Sequence, residues 1–493
     1  MLVRLFAFSS SLMIATAAAA APVLAPPAEL SAAVKEFVHV PAGRIAITHL
    51  RIIDGSGAPP LEDRTLLIDG PKILAVNAPG SPVPADFRVL DGTGETALPG
   101  IVGMHNHMFY IARPNIDASG HSDDPVLVPQ MTFSAPRLYL AGGVTTMRTT
   151  GSVEPYADLN LKSEIDAGHL VGPHMDVTAP YLEGPKSYFI QMHHITSVDD
   201  ARRTVAFWAD QGATSFKAYM NITRAELKAA IDEAHRRHLK ITGHLCSVTY
   251  PEAAELGIDD LEHGFFVNTQ LDPGKEPDVC PDSGGDPTME RMTPDGPEGR
   301  ALIKLLVERH VAVTSTLPVF AQSLPMHEPL NPSAMAVLTP ESREAYLYAR
   351  NIGASRAGTP QKVRAAVGYK NDLAMERAFV AAGGLLLAGP DPTGNGGVIP
   401  GFGDQREIEL LVEAGFTPVE AIRIATLNGA IYLGLQDRIG SIAVGKNADL
   451  FIVGGNPAAK IEDVEKVILV FKDGVGYDSA KLIRSVRGRY GGY

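Results

Sequence analysis

Two histidines separated by one residue, His105 and His107, are the side chains of this sequence best suited to chemistry. They end an apolar run that begins with Leu98-Pro-Gly, and this run predicts a buried strand. Side chains two apart on a strand point to the same face, so both imidazoles can reach one metal ion. Such pairs also occur as ordinary core or surface histidines, so the rest of the chain decides between the two interpretations.

Further chemically capable side chains fall where other predicted strands end. They are Lys217, His244, His263 and Asp391. Each alone has a structural explanation: a paired lysine, a hydrogen-bonded core histidine, or an aspartate that caps a turn. Their common position at the ends of separate strands favours one shared site instead.

These residue types suit a metal-dependent reaction. Imidazoles and carboxylates bind borderline divalent ions such as zinc and leave room for a water molecule. A lysine crowded by a metal and apolar walls loses its proton readily. Its neutral amine can then add carbon dioxide, and the resulting carbamate can bridge two cations. An aspartate beside a metal-bound water can take its proton and later pass it to a leaving group.

The elements that must position these residues alternate between helix and strand over residues 98–438. Capping boxes at Thr223–Glu226 and Thr417–Glu420 begin two of the helices. Eight strands are predicted near Val102, Val144, Met175 and Phe216 and over 240–244, 260–264, 311–317 and 385–388. Eight such units predict an α/β fold, a (β/α)8 TIM barrel with its active site at the carboxyl ends of the strands.

Short strand-like runs flank this middle part at both ends of the chain. Asp-Gly and Gly-rich breaks divide residues 44–97 into runs that predict antiparallel hairpins. Similar short strand-like runs return over residues 440–474. We therefore predict a small composite β-sandwich domain built from residues 22–97 and 439–493.

The first 21 residues predict a signal peptide, with Arg4 before a short apolar stretch and a tract of small residues up to Ala21. The apolar stretch is too short to span a membrane, so an exported protein is expected, periplasmic or secreted. A net charge of −13 with no run of Lys or Arg argues against nucleic acid and anionic membranes as partners. A small-molecule substrate is expected, and self-association is left open.

Two cysteines, Cys246 and Cys280, can form one disulfide in an oxidising compartment or remain buried free thiols.

Long connections over 110–137, 181–198 and 268–297 predict lids above the strand ends. His121, His193 and His194 lie on these loops and are left out of the site.

The site residues and their surroundings together resemble the amidohydrolase superfamily over nearly the whole mature chain. The features that carry the resemblance are Pro-Gly before His-x-His, the strand-end lysine, histidines and aspartate, and the closing segments at 425–435 and 440–450. Within the superfamily the chain looks most like the exported branch, which has members similar to imidazolonepropionase and to metal-dependent Xaa-Pro dipeptidases.

The resemblance implies a site for two divalent metal ions, with Zn²⁺ expected. His105 and His107 would hold one ion, and His244 and His263 the other. Carbamylated Lys217 and a hydroxide would bridge them, while Asp391 would bind the first ion and shuttle protons.

Three positions depart from the pattern of the family: Gly103 and Pro390 stand where Asp and Thr or Ser are common, and Thr149 stands where the branch often has Asp. None removes a predicted metal ligand. Arg148 can bind a substrate carboxylate or pair with a neighbouring acid. For Tyr219, packing is favoured over a contact with a substrate oxygen.

The predicted function is hydrolysis of an amide bond, in a dipeptide or an N-acyl amino acid. The hydroxide would attack the carbonyl carbon and Asp391 would carry the proton. One alternative keeps the scaffold and changes the substrate to a cyclic amide, lactone, ester or phosphotriester. Another is a non-catalytic protein that binds metal or solute.

Overall fold

The computed structural model of the protein describes residues 26–112, 128–185, 191–322, 324, 328–393 and 397–492. The predicted signal peptide, His121 and parts of the loops at 110–137 and 181–198 lie outside these residues.

The strands in the described part of the chain form three sheets. In chain order they are β1 (Val38–Val40), β2 (Arg44–Ile52), β3 (Leu61–Asp69), β4 (Lys72–Asn77), β5 (Arg88–Asp91), β6 (Glu95–Pro99), β7 (Ile101–Asn106), β8 (Val144–Thr149), β9 (His174–Asp176), β10 (Ser215–Ala218), β11 (Lys240–Gly243), β12 (Asp260–Glu262), β13 (Ala312–Ser315), β14 (Leu386–Ala388), β15 (Leu450–Gly454), β16 (Val467–Lys472) and β17 (Val475–Asp478).

The α-helices are α1 (Ala32–Lys35), α2 (Ala135–Ala141), α3 (Pro155–Asp166), α4 (Val198–Asp210), α5 (Arg224–Arg236), α6 (Tyr250–Leu256), α7 (Asp286–Arg291), α8 (Pro297–Glu308), α9 (Leu317–Ala321), α10 (Pro332–Val337), α11 (Pro340–Ser355), α12 (Pro360–Ala381), α13 (Phe402–Glu413), α14 (Pro418–Arg423), α15 (Gly429–Tyr432) and α16 (Ser479–Ser485). A π-helix (Ile424–Asn428) and a 3₁₀-helix (Ile461–Glu465) complete the helical elements. None of the described helices is both long and apolar enough to span a bilayer.

Both predicted capping boxes are present. The Glu226 carboxylate accepts a hydrogen bond from the Thr223 amide at 3.0 Å, and the Thr223 hydroxyl accepts one from the Glu226 amide at 3.3 Å. The pair Thr417–Glu420 begins α14 in the same way. These bonds satisfy amides that would otherwise lack partners in the first turn, so the two helix starts follow from local sequence.

The largest sheet has nine strands in the order β1-β17-β16-β15-β6-β2-β3-β4, with β5 paired to β2. Within it, β15 runs antiparallel to β6, from Leu450 opposite Pro99 to Gly454 opposite Glu95. Strands from the two ends of the chain therefore share one sheet. Strands β2, β3 and β4 pair antiparallel as predicted.

The prediction of hairpins is wrong for the end of this N-terminal segment. Strands β5 and β6 both pair parallel to β2. Parallel strands need a longer connection than a hairpin turn, and residues 78–87 between β4 and β5 supply it. The Gly-rich breaks alone could not distinguish the two pairings.

All eight strands predicted for the middle of the chain are present, in two parallel sheets. One sheet is β7-β8-β9, and the other is β10-β11-β12-β13-β14. Hydrogen bonds connect the sheets at both edges: the Ala179 amide donates to the Ser215 carbonyl at 3.0 Å, and the Asp391 amide to the His105 carbonyl at 3.1 Å. Residues that follow the carboxyl ends of these strands therefore lie near one another.

The approach of β14 to β7 depends on Gly389. A Cβ atom at this position would lie 2.2 Å from the His105 backbone nitrogen, a distance that real side chains essentially never show. Any side chain here would separate the two strands. It would also move Asp391 away from the histidines of β7.

The two cysteines form a disulfide, Cys246–Cys280, with Cα atoms 4.8 Å apart. Cys246 is buried two residues after His244, whereas Cys280 lies in the long connection 268–297, which also contains α7. The bond therefore fixes this connection to the strand end that carries His244, and the free-thiol alternative is wrong.

We expect the double variant Cys246→Ser, Cys280→Ser to lower the free energy of unfolding by about 4 kcal/mol, since the disulfide closes a loop with a sequence separation of 34 residues. Urea denaturation with and without reductant measures the change. The matched control is thiol titration of unreduced, denatured wild-type protein, in which no reactive thiol is expected. Two titratable thiols in that sample would contradict the disulfide.

Candidate metal centre

The histidines of β7 lie against Asp391. His107 Nε2 is 3.1 Å and His105 Nε2 is 3.5 Å from Asp391 Oδ1. Ligand atoms of these three buried residues all lie within 4.8 Å of one another. Two imidazoles and one carboxylate at this spacing can hold a divalent cation such as zinc.

Lys217, on β10, is buried beside the same histidine pair. Its Nζ lies 3.2 Å from His105 Nε2 and donates to the Thr150 carbonyl at 3.2 Å. Burial lowers the pKa of Lys217 to about 8, although the carboxylates of Glu262 and Asp391 act in the opposite direction. The neutral amine that carbamate formation requires is therefore accessible near neutral pH.

His244 and His263 follow the ends of β11 and β12, and their ring centroids are 4.4 Å apart. The His263 ring is also 4.6 Å from the His105 ring, so the second pair adjoins the first. Burial lowers the pKa of His244 to about 3, which keeps its imidazole neutral, as a metal ligand must be.

The hydrogen bonding of the two His263 ring nitrogens shows whether a metal ion fits this group of residues. Its Nδ1 hydrogen-bonds the Thr316 hydroxyl at 2.9 Å. Its Nε2 is buried and has no hydrogen-bond partner among the described residues. A buried polar atom without a partner is costly, and a cation between the two histidine pairs would satisfy it. The donor set therefore fits a metal centre.

Asp391 is held as an anion in a strained backbone position. Burial alone would raise the pKa of its carboxyl, but His105, His107 and Lys217 lower it below its ordinary value. Its φ is +55°, and that of His263 is +70°. Non-glycine residues in this region are uncommon and cluster at functional sites, where the surrounding structure maintains them.

A carboxylate that the sequence reasoning missed orients His105. Glu262 Oε2 lies 2.6 Å from His105 Nδ1, inside the protein, and both side chains are fully buried. This bond places the proton on Nδ1 and leaves Nε2 for a ligand. The sequence shows that Asp260 and Glu262 lie two apart on β12 and so share one face, but it does not show that this face meets β7.

Arg148 lies beneath the site and not on its rim. It donates to Asp260 Oδ2 and to Glu262 Oε1, both at 2.8 Å, and to the Met104 carbonyl at 2.8 Å. Of the two alternatives for this residue, the structure therefore supports pairing with acids. Burial alone would raise the pKa of Asp260, and the neighbouring Glu262 adds to this, so that it reaches about 7 despite Arg148.

Gly103, one of the departures from the family pattern, has a steric reason. A Cβ atom there would lie 2.0 Å from Asn106 Nδ2. That amide donates to Asp404 Oδ1 at 3.1 Å. The space that a side chain at position 103 would need is thus occupied by an Asn–Asp pair, and the carboxylate for His105 comes from β12 instead. Of the other departures, Thr149 accepts a hydrogen bond from the Thr178 amide at 3.1 Å.

Aromatic rings lie against a histidine of each pair and against Lys217. Phe109 stacks on His107 with ring centroids 4.4 Å apart, and Lys217 Nζ lies 5.2 Å from the Tyr181 ring. Tyr219 follows the end of β10, and its ring packs 4.9 Å from His244. These contacts agree with a packing role for Tyr219.

A second buried group of possible ligands, His174, Asp449 and Asp473, lies where β9 begins, away from the strand ends of the site. His174 Nε2 is 3.1 Å from Asp473, and Lys472 Nζ is 3.9 Å from the same carboxylate. Asp473 thus has a hydrogen-bond partner in His174 and a nearby cation in Lys472. We assign this group to packing between the sheets.

Comparisons with known proteins give short matches in sequence and matches in fold over most of the chain. The model of the amidohydrolase family matches residues 400–476. Among curated proteins, 5'-deoxyadenosine deaminase of Methanobrevibacter smithii is 41% identical over 58 residues, 12% of this chain and 13% of the relative. Imidazolonepropionase of Micrococcus luteus is 35% identical over 111 residues, 22% of this chain and 27% of the relative. The matches therefore span less than a third of either relative.

Solved structures share the fold over most of the chain. A Xaa-Pro dipeptidase with methionine bound in its active site aligns with a TM-score of 0.63 and 20% identity, covering 88% of this chain and 100% of the other. A bottromycin amidohydrolase aligns with a TM-score of 0.66 and 20% identity, covering 94% and 95%. The ochratoxinase of A. niger gives 0.62 and 18%, covering 89% and 96%. The family match over residues 400–476 and the α/β fold shared with these structures both agree with the resemblance to the amidohydrolase superfamily.

Proposed function

We propose that this protein is a binuclear metal-dependent hydrolase of amide C–N bonds, acting on a dipeptide or an N-acyl amino acid. The observation that carries the proposal is the convergence of the strand-end residues around a buried lysine, with Lys217 Nζ 3.2 Å from His105 Nε2. In this proposal the two parallel sheets act as one closed (β/α)8 barrel, and the nine-stranded sheet belongs to the composite domain.

The residues present would hold two ions, with zinc expected. His105, His107 and Asp391 would bind one, and His244 and His263 the other, with carbamylated Lys217 between them. When bound, the cations would lower the pKa of a water molecule and polarise the carbonyl group of the substrate.

The protein side chains would then orient the reaction and move its proton. Glu262 holds the His105 ring in one orientation through the bond to Nδ1. Asp391, kept ionised by its neighbours, can accept the proton of the attacking water and deliver it to the leaving nitrogen. An amide needs this second transfer, because an amine leaves poorly without a proton.

Two observations support an amide of an amino acid over the other substrates. The Xaa-Pro dipeptidase that shares the fold was solved with methionine in its active site, and a second relative in structure is described as an amidohydrolase. A lactone, ester or phosphotriester remains the second candidate substrate on the same scaffold. The oxygen leaving group of these substrates depends less strictly on protonation than the nitrogen leaving group of an amide does.

We also propose that the protein is exported, periplasmic or secreted. The disulfide Cys246–Cys280 supports this, because such bonds form and persist in oxidising compartments.

Release of free amino acids from a panel of dipeptides and N-acyl amino acids tests the proposed function. We expect the purified, metal-loaded protein to cleave members of the panel and a chelator-treated sample to lose that activity. Parallel assays with lactones, esters and phosphotriesters provide the comparison. Activity there, with none on amides, would replace the proposal by the second candidate.

The variant Asp391→Asn should keep its metals and lower kcat by about 10²- to 10⁴-fold, because it retains a side-chain oxygen but cannot take up a proton. Metal analysis and steady-state kinetics measure the two effects. Asp199→Asn, at the exposed start of α4, is the control and should match wild type. Undiminished turnover of metal-loaded Asp391→Asn would exclude the proton shuttle.

The variant Lys217→Ala should bind fewer than two metal equivalents, because it lacks the bridging ligand. Wild-type protein incubated with ¹³C-bicarbonate should show a carbamate carbon in its NMR spectrum, and the variant should not. Added acetate should restore part of the metal content by supplying a carboxylate. Lys240→Ala, at the amino end of β11, controls for loss of a strand lysine. A fully loaded Lys217→Ala protein without acetate would contradict a carbamate bridge.

A further inference from the structure

The backbone around His263 is left-handed over two consecutive residues. The φ of His263 is +70°, and that of Gly264 is +57°. Glycine adopts this region readily, but a histidine remains in it only when the surrounding structure holds it there. The contacts that hold this turn and the imidazole ring therefore set the direction of His263 Nε2.

A buried carboxyl group on α12 holds the turn from one side. Asp372 Oδ1 accepts a hydrogen bond from the Phe265 amide at 2.7 Å, and the residue is fully buried. A Cβ atom at Gly264 would lie 2.8 Å from the same oxygen and 2.6 Å from Glu376 Oε1. The two residues that follow His263 are therefore in direct contact with carboxyl groups of α12.

The ring of His263 is held from another side by Thr316, the residue before α9. A threonine at this position usually accepts a hydrogen bond from an amide in the first turn of the helix. The Thr316 hydroxyl makes no such bond and lies 2.9 Å from His263 Nδ1 instead. With the proton on Nδ1, His263 donates to this hydroxyl, and its Nε2 stays open for a cation.

Glu407, on α13, provides the bond to the helix start that Thr316 does not make. Its Oε2 accepts a hydrogen bond from the Leu317 amide at 2.9 Å, and the side chain is buried. On the other side of Thr316, the Ser315 hydroxyl donates to Glu376 Oε2 at 3.0 Å. Both neighbours of Thr316 are thus fixed by buried carboxyl groups, which leaves its hydroxyl to the imidazole.

We propose that Thr316, Asp372 and Glu407 are positioning residues for the second metal ion. This ion is the one that His244 and His263 would bind, so the inference rests on the proposed function for its presence. Thr316 orients the imidazole directly, while Asp372 and Glu407 hold the two chain segments that carry the ring and its partner. Because these residues act through His263 and not on the substrate, their replacement should weaken metal binding.

The variant Thr316→Val keeps the shape of the side chain and removes the hydroxyl, so it should fold. We expect it to weaken binding of the second ion by about 10- to 100-fold, the range typical for loss of a residue that orients a metal ligand. Thr316→Ser restores the hydroxyl and should bind the ion as wild type does. Zinc titration against a competing chelator measures both binding constants, and His263→Ala identifies the one that belongs to the second ion.

Asp372 and Glu407 are each tested by two substitutions. Burial raises the pKa of both carboxyl groups above their ordinary values, so a neutral amide is a close substitute. Asp372→Asn and Glu407→Gln keep the acceptor oxygen and should retain the second ion, whereas Asp372→Leu and Glu407→Leu should weaken its binding.

The matched control is Asp463→Leu, in the composite domain. It also removes a buried carboxylate, one that accepts a hydrogen bond from the Asn456 amide at 2.8 Å. This variant should lower the melting temperature and leave both zinc binding constants unchanged. It therefore separates general destabilisation from a specific effect on His263.

Valine and leucine variants that bind the second ion as tightly as wild type would overturn the inference. The same holds if the Ser, Asn and Gln variants fail to restore binding, or if both ions are weakened equally. Weakening in Asp463→Leu would also overturn it, because the effect would then be general. If the leucine variants do not fold, the Thr316 pair and the two amide variants decide.

Wild-type protein that binds fewer than two ions would contradict the proposed binuclear function but not the inference. The metal-free protein, labelled with ¹⁵N-histidine, then provides the test. NMR should show the Nδ1 proton of His263, identified by its absence in His263→Ala, in wild type and in Thr316→Ser. The signal should be lost in Thr316→Val, and its persistence there would overturn the inference.

Discussion

The rest of the site depends on the hydrogen bonds from the buried Arg148 guanidinium to two carboxylates. Two carboxylates, Asp260 and Glu262, lie beneath the site in an interior that would not tolerate them unpaired. Arg148 contacts both at 2.8 Å, and Glu262 uses its other oxygen for His105. Loss of one member of a buried ion pair typically costs about 3–5 kcal/mol of folding free energy. Replacing any one of these three charged side chains alone would therefore destabilise the candidate metal centre.

Much of the architecture could be predicted because local signals and the alternation of strands and helices agree. The capping boxes at Thr223 and Thr417 mark helix starts through bonds between residues three apart, which the sequence displays directly. The eight middle strands are apolar runs, and five of them end in residues that are suited to metal binding or proton transfer. That common position is sufficient to group Lys217 with His263 from the amino-acid sequence alone.

The features that escaped prediction depend on contacts between distant segments. The role of Glu262 requires knowing that β12 faces β7, and Arg148 could be placed inside or on the rim with equal reason. The parallel pairing of β5 with β2 depends on how a ten-residue connection crosses the sheet. The disulfide required two loops to meet over a sequence separation of 34 residues. The periodicity of a sequence predicts secondary structure but carries no information about which distant segments come into contact.

The pairing of β15 with β6 bears on the order in which the chain can fold during synthesis. These strands are neighbours in the sheet, yet some 350 residues of chain are made between them. While the ribosome is still producing the middle segment, β6 has an open edge where β15 will later lie. Contacts of such sequence separation form slowly, and exposed edges invite wrong partners. The pairing of β6 with β15 can therefore be completed only after translation has passed Gly454, and the nine-stranded sheet only after it has passed Asp478, the end of β17.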